Sequence, residues 1–324
     1  MDEQLDRAGG VLLGAAVGDA LGVPYEFAPP FDGEPRMIGG GLGPYAPGEY
    51  SDDTQMAVCI AEVAATGADL TSPGALEAIA DRFIEWSRRG ASDIGVSTRA
   101  VLGEVEPGPG SGARLAEAAS RYLARTGRGG GNGGLMRTGV VALASFDDRD
   151  HTARAARAVC ELTHADPVAG DSCVLWCEAV RVAVLEGRFD LVGGLDLLPT
   201  ERRAAWTGWI ERATGAAPSS FGRNGGSVKA LQAAWAAITS TIDDEARGLG
   251  GDHLRDALVA AVDAGDDTDT VAAIAGALLG ARWGASSVPE EYRAAVHGWP
   301  GLAGDDLVGL GVLTVRRARL RSGR

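Results

Sequence analysis

Cysteine is scarce: four residues in 324, at Cys59, Cys160, Cys173 and Cys177. No two form a C-x-x-C pair, so no disulfide framework is expected, and the reading is of buried free thiols in a reduced, cytoplasmic protein. Basic charge is also short. The chain has 30 Lys+Arg against 44 Asp+Glu, a formal net charge of −14 and a pI near 4.8. That balance excludes broad, sequence-independent nucleic-acid binding, which needs a basic face. No apolar run reads as long enough to cross a bilayer. The opening MDEQLDRAGG is acidic where a secretory signal would be basic. Alternating β-branched patterns are rare, which argues against sheet. What remains, 45% hydrophobic and 23% charged, is ordinary for a globular chain long enough to bury a large core.

Glycine is abundant instead, at 48 of 324 residues. It clusters at 39–41, 129–131, 133–134 and 225–226 without a fixed period, so no collagen or repeat array follows. Between the clusters, alanine- and leucine-rich stretches at 113–125, 152–162, 172–185, 227–242 and 254–262 carry helical spacing. These patterns predict an all-α fold with its chemistry in glycine-rich loops. The segment 107–112 reads as one short loop between helices, and a single domain is expected. The arginines at 316, 317, 319, 321 and 324 read as a solvated, frayed tail.

Two acidic clusters stand at two helix starts. Ser51-Asp52-Asp53-Thr54 precedes an amphipathic helix carrying Met56, Val58, Ile60 and Val63. Asp266-Asp267-Thr268-Asp269-Thr270 precedes a run from Val271 to Gly280 that is apolar on every side, the mark of a helix inside a bundle. Helix capping explains one such residue. It does not explain carboxylates packed this densely, which repel one another unless a cation or protons intervene. The clusters offer only oxygen, from Asp, Ser and Thr, and this selects Mg²⁺, Mn²⁺ or Ca²⁺ over zinc or copper. Asp267 and Thr270 share one side of the first turn, and Asp269 between them can bridge.

Further upstream, Gly14, Gly18 and Gly22 recur every four residues and bare one helix face for close packing. Pro24 ends that helix, and Glu26 opens a long irregular loop reaching Gly48, of the kind that serves as a lid. His164 alone reads as a cap or a core residue. With Cys173 and Cys177 it would still lack a ligand for zinc.

Taken together, GDALGVPYE (18–26), SDDTQMA (51–57), GNGGLMR (131–137), THADP (163–167) and GDDTDTVAAIAGALLGA (265–281) resemble the ADP-ribosylglycohydrolase family. The likeness runs from Gly14 to about Gly284, and SDIG (92–95) is similar to the branch typified by the dinitrogenase reductase-activating glycohydrolase. The resemblance implies a compact orthogonal helical bundle with a motif-bearing core at about 10–285 and C-terminal helices beyond it. It implies a central cleft with two divalent cations, Mg²⁺ or Mn²⁺. Ser51, Asp52, Asp53 and Asp269 would hold one; Asp267, Asp269 and Thr270 would hold the other. Glu26, Asp267 and Asp93 would be the catalytic carboxylates, with Glu26 gating the site and Asp93 facing an arginine guanidinium. Gly131, Asn132, Gly133, Gly134, Met136 and Arg137 would surround a diphosphate, with His164 near it and Asn224 and Gly225 near the adenosine. The implied activity is release of ADP-ribose from an acceptor, with arginine preferred and serine, nucleotide or acetyl linkages as alternatives. A non-catalytic ADP-ribose binder and a two-metal phosphohydrolase are the rivals.

Overall fold

The computed structural model describes residues 2–29, 33–242, 250–321 and 323. Its helices are α1 (Glu3–Gly22), α2 (Asp52–Ala64), α3 (Pro73–Arg89), α4 (Val96–Leu102), α5 (Ser111–Thr126), α6 (Leu135–Thr138), α7 (Val141–Ala144), α8 (Arg149–Glu161), α9 (Pro167–Glu186), α10 (Thr200–Ala213), α11 (Ser227–Ser240), α12 (Gly250–Val262), α13 (Thr268–Trp283), α14 (Glu290–Ala295) and α15 (Gly304–Arg321). The strands among the described residues, β1 (His297–Gly298) and β2 (Leu302–Ala303), form one antiparallel pair with His297 opposite Ala303. The five alanine-rich stretches are all helical, as α5, α8, α9, α11 and α12. The proline- and glycine-rich segment 107–112 joins α4 to α5, as its composition requires.

The four-residue glycine spacing finds its reason in the pairing of α1 with α13. A methyl group on Gly14 would sit 2.2 Å from the Gly276 carbonyl oxygen, and one on Gly276 would sit 2.0 Å from that of Gly14. Gly18 meets the Ala272 carbonyl in the same way, and Gly10 meets Gly280. With no side chain between them, the two backbones touch. Every residue of α13 from Thr268 to Ala281 is buried, as its uniform apolarity predicts. Around this pair a continuous core runs from Leu5 to Ala318, with Trp86, Trp176 and Trp206 fully enclosed. All four cysteines are free and buried.

Two readings need correction. The segment Glu3–Tyr25 is, by length and composition, apolar enough to cross a membrane, and 89% of its apolar window lies inside the protein. Its apolarity matches its place at the centre of the bundle, where both faces of α1 meet other helices. Two of the C-terminal arginines do not hang free either. Arg319 donates to Asp2 and Gln4, and Arg321 donates to the carbonyls of Gly67, Ala68 and Ala144 and to the Ser145 hydroxyl. The guanidiniums close loop carbonyls that no helix satisfies. Arg324 lies outside the described residues.

Candidate active site

Helix α2 begins at the acidic cluster, yet its own cap residue does not cap it. Ser51 occupies the N-cap position and makes no side-chain capping bond. Asp19, fully buried on α1, takes over. Its carboxylate accepts from the Ser51 amide at 2.9 Å, the Thr54 amide at 3.0 Å and the Thr54 hydroxyl at 2.6 Å. The Ser51 hydroxyl is thereby released toward Asp53 Oδ2 at 3.1 Å and Asp269 Oδ2 at 3.5 Å. Helix α13 repeats the arrangement. Asp267 stands at its N-cap without a side-chain capping bond. Asn224 Oδ1 accepts the Asp267 amide at 3.0 Å, and Asn132 Nδ2 donates to Asp267 Oδ2 at 2.8 Å. Capping therefore does not account for these acidic residues.

The two helix starts bring together side chains 218 residues apart. Ligand atoms of Asp19, Asp53 and Asp269 lie within 4.8 Å of one another, and so do those of Glu26, Asp267 and Asp269. Among the described residues no ion pair involves Glu26, Asp19, Asp52, Asp53, Asp267 or Asp269, and at the cavity wall Asp93 faces the exposed Arg99 at 3.9 Å. The carboxyls consequently hold protons too tightly. Burial, then the charges of Asp267, Asp52 and Asp93, pushes Glu26 up to about 8. Burial, then Asp19, Asp93 and Asp267, does the same for Asp52, up to about 8. Asp19 is pushed by burial up to about 6 against the hydrogen bonds it accepts from Thr54 and Ser51. Burial first, then neighbouring carboxylates, raises Asp53 and Asp269 well above the usual range, and burial raises Asp267 as well.

One atom decides how the cluster fits a cation: Asp53 Oδ1 is buried and has no hydrogen-bond partner. An orphaned carboxylate oxygen facing other carboxylates is costly in a folded protein. The donor set around it is all oxygen, from Ser51, Asp19, Asp53 and Asp269. The residues present fit a hard divalent ion. Asp19 belongs to this cluster and was not singled out in the sequence. Its one signal was a carboxylate near the end of the apolar, glycine-faced stretch of α1 that begins at Ala8.

Above the cluster opens a cavity of about 440 Å³, lined by Glu26, Asp52, Asp93, Gly131, Asn132, Gly133, Met136, His164, Gly225, Asp267, Asp269 and Thr270, with Phe27, Leu42 and Val96 exposed at its rim. Ser51 and Asp53 lie beneath it. The two glycine-rich loops are stitched together: Gly131 bridges Gly226, the Asn132 amide donates to the Gly225 carbonyl, and the Ser227 amide donates to that of Gly130. Glu26 is held from behind, because the Phe27 amide donates to the Asp266 carbonyl at 2.7 Å. Phe27, Arg223 and Asp266 all adopt positive φ, and the Arg223 amide donates to Asp266 Oδ2 at 2.6 Å, so the strained backbone of this side converges on Asp266.

Three expected substrate residues are not at the cavity surface. Arg137 is fully buried in α6, with its guanidinium 4.6 Å over the Phe83 ring. The short helix turns its side chain into the core although Met136 beside it faces the cavity. Gly134 points at Cys160, 2.7 Å from where a methyl group would lie. Asn224 is fully buried, and its hydrogen bonds go to Asp267, Gly265 and Asn132. It pins the α13 start.

A mostly helical protein with a carboxylate cluster under a glycine-walled cavity is a class defined by fold and site together. A family model described as ADP-ribosylglycohydrolase matches residues 1–321, and the chain belongs to that family. It is 31% identical over 313 residues to the ADP-ribosylarginine hydrolase Tri1 of Pseudomonas putida (strain GB-1), covering 90% of this chain and 74% of that protein. It is 26% identical over 295 residues to the ADP-ribosyl-[dinitrogen reductase] glycohydrolase of Rhodospirillum rubrum, covering 89% of each. A solved structure titled ADP-ribosylglycohydrolase-related protein complex superposes with a TM-score of 0.70 at 26% identity, covering 98% of this chain and 100% of that one.

Proposed function

We propose that this protein is a cation-dependent hydrolase that cleaves the glycosidic bond between ADP-ribose and an acceptor, with arginine as the preferred acceptor. Membership of the family and the names of its relatives support the reaction. The observation that carries the cation is the orphaned Asp53 oxygen in a buried, all-oxygen cluster. Ser51, Asp52, Asp53 and Asp269 would hold one Mg²⁺ or Mn²⁺, and Asp267, Asp269 and Thr270 a second. When bound, these ions would supply Lewis acidity and fix the sugar hydroxyls. Asp19 holds the α2 start so that Ser51, Asp52 and Asp53 face inward. Glu26 lies in one carboxylate group with Asp267 and Asp269, and we assign it the proton transfer to the departing acceptor nitrogen. Asp93 at the cavity wall accepts the guanidinium of an arginine acceptor through a charge-assisted bond that a serine acceptor cannot make. The free, buried thiols suit a reducing compartment, and we place the protein in the cytoplasm.

The test is incubation of the Mg²⁺- or Mn²⁺-loaded protein with ADP-ribosyl-arginine. Free ADP-ribose is the expected product. Release of phosphate instead would identify a phosphohydrolase, and binding without turnover would identify an ADP-ribose receptor. A parallel panel of serine-, nucleotide- and acetyl-linked ADP-ribose ranks the acceptors.

A further inference from the structure

Beneath the glycine loop, a buried hydrogen-bond chain runs from Arg137 through Thr163 to His164. Arg137 NH2 donates to Thr163 Oγ1 at 2.6 Å, and Thr163 Oγ1 lies 2.8 Å from His164 Nδ1. A guanidinium has donors and no acceptor, so the hydroxyl oxygen must accept from Arg137. His164 Nδ1 is the remaining hydrogen-bond partner of that hydroxyl among the described residues, and if the hydroxyl is to donate its own hydrogen, Nδ1 accepts it. A neutral imidazole accepting at Nδ1 carries its hydrogen on Nε2.

Nε2 faces the cavity. It lies 3.2 Å from where a methyl group on Gly131 would sit and 3.3 Å from one on Gly133, and it has no hydrogen-bond partner among the described residues. A side chain at either glycine would cover it. His164 stays neutral because burial, and then the Arg137 charge, pushes the ring down to about 3. The guanidinium itself has no carboxylate partner: its other contacts are the Val159 carbonyl, the Met56 sulfur and the Phe83 ring. A buried, unpaired arginine is costly in a core, and its one short hydrogen bond is spent on Thr163.

We propose that Arg137 and Thr163 are positioning residues that lock His164 as a neutral Nε2–H donor, aimed between Gly131 and Gly133 at an oxygen of the ligand's diphosphate. The ligand half of this inference rests on the ADP-ribose reading; the tautomer half does not. Arg137 thus serves the anion side of the cavity through two other side chains, without touching the ligand. A neutral donor suits this place. It offers one directed hydrogen bond and leaves the charge balance of the cavity to the cations.

The experiment uses the full chain with ¹⁵N-labelled histidine. Long-range ¹H–¹⁵N spectra identify the tautomer of His164, assigned by difference from His164→Ala, and calorimetric titration with free ADP-ribose follows binding. The wild type should show Nε2–H. Thr163→Val should shift or mix the tautomer and weaken ADP-ribose about tenfold, the loss of one hydrogen bond. Thr163→Ser should restore both. A wild-type spectrum showing Nδ1–H or an imidazolium overturns the inference, even if Thr163→Val does not fold. So does a folded Thr163→Val with unchanged tautomer and affinity. A wild type with the Nε2–H spectrum that fails to bind ADP-ribose overturns the functional reading and the ligand half with it, leaving the tautomer established.

Discussion

Replacing Asp53 by Asn separates the needs of the fold from those of the cation. In the cation-free protein Asp53, Asp19 and Asp269 place carboxylate oxygens within 4.8 Å of one another. Two full charges at that distance repel by about 3.5 kcal/mol at an effective dielectric of ~20. An amide at position 53 keeps the oxygen that faces Ser51 and puts a donor where Oδ1 now has no partner. For 324 residues the unfolding entropy is about 0.7 kcal/mol per degree. Relief of one repulsion, reduced by partial protonation, therefore raises Tm by about 3–5 °C in excess chelator at pH 8. The wild type should gain about 4 °C at a Mg²⁺ concentration a hundred times its Kd. Asp53→Asn should lose most of that gain together with hydrolysis. Differential scanning fluorimetry of both proteins, with and without the cation, reads all four states. A chelated Asp53→Asn less stable than the chelated wild type, or a wild type indifferent to divalent ions, would refute the reasoning.

The cation-free wild type should lose stability as pH rises. Burial and neighbouring carboxylates push Glu26 and Asp52 up to about 8 in the fold, from ordinary values of 4.5 and 3.8. The native state therefore holds protons that the unfolded chain has released between about pH 4 and 8, and stability falls across that window; denaturant melts at pH 5 and pH 8 in chelator check the sign. Gly22→Ala puts a methyl group 2.3 Å from the Asp269 Cα. It should cost about 1–3 kcal/mol and also abolish the cation-dependent Tm gain, both read in the same melts. Asp93→Ala should raise KM for arginine-linked ADP-ribose about 10- to 100-fold and leave the serine-linked substrate unchanged, measured by release of free ADP-ribose; equal losses on both would remove Asp93 from acceptor choice.

Close-range patterns were legible in the sequence. Gly14, Gly18 and Gly22 announced a helix face meant for backbone contact, and the even apolarity of 271–280 announced a buried helix; the structure pairs the two. The acidic runs at 51–53 and 266–269 were legible as more than caps, because neighbouring carboxylates carry a cost that sequence alone reveals. What stayed hidden depends on partners far along the chain. Asp19 looks like one polar residue in an apolar helix until α2 docks its amides against it. Arg137 follows a cavity-lining residue, and only the direction in which α6 turns shows that its charge goes inward. Asn224 borders a cavity glycine, yet its amide is consumed by the α13 start. Arg321 reads as loose because the carbonyls it satisfies, of Gly67, Ala68 and Ala144, lie far along the chain.

The interlocked backbones of α1 and α13 also govern when the cluster can exist. Asp19 arrives in the first helix and Asp269 in the thirteenth, and the seam that seats them cannot close until both are present. A nascent chain or a long N-terminal fragment would present these aspartates scattered, without the cluster. A cation that needs both helix starts could therefore bind only after the two ends of the chain have met.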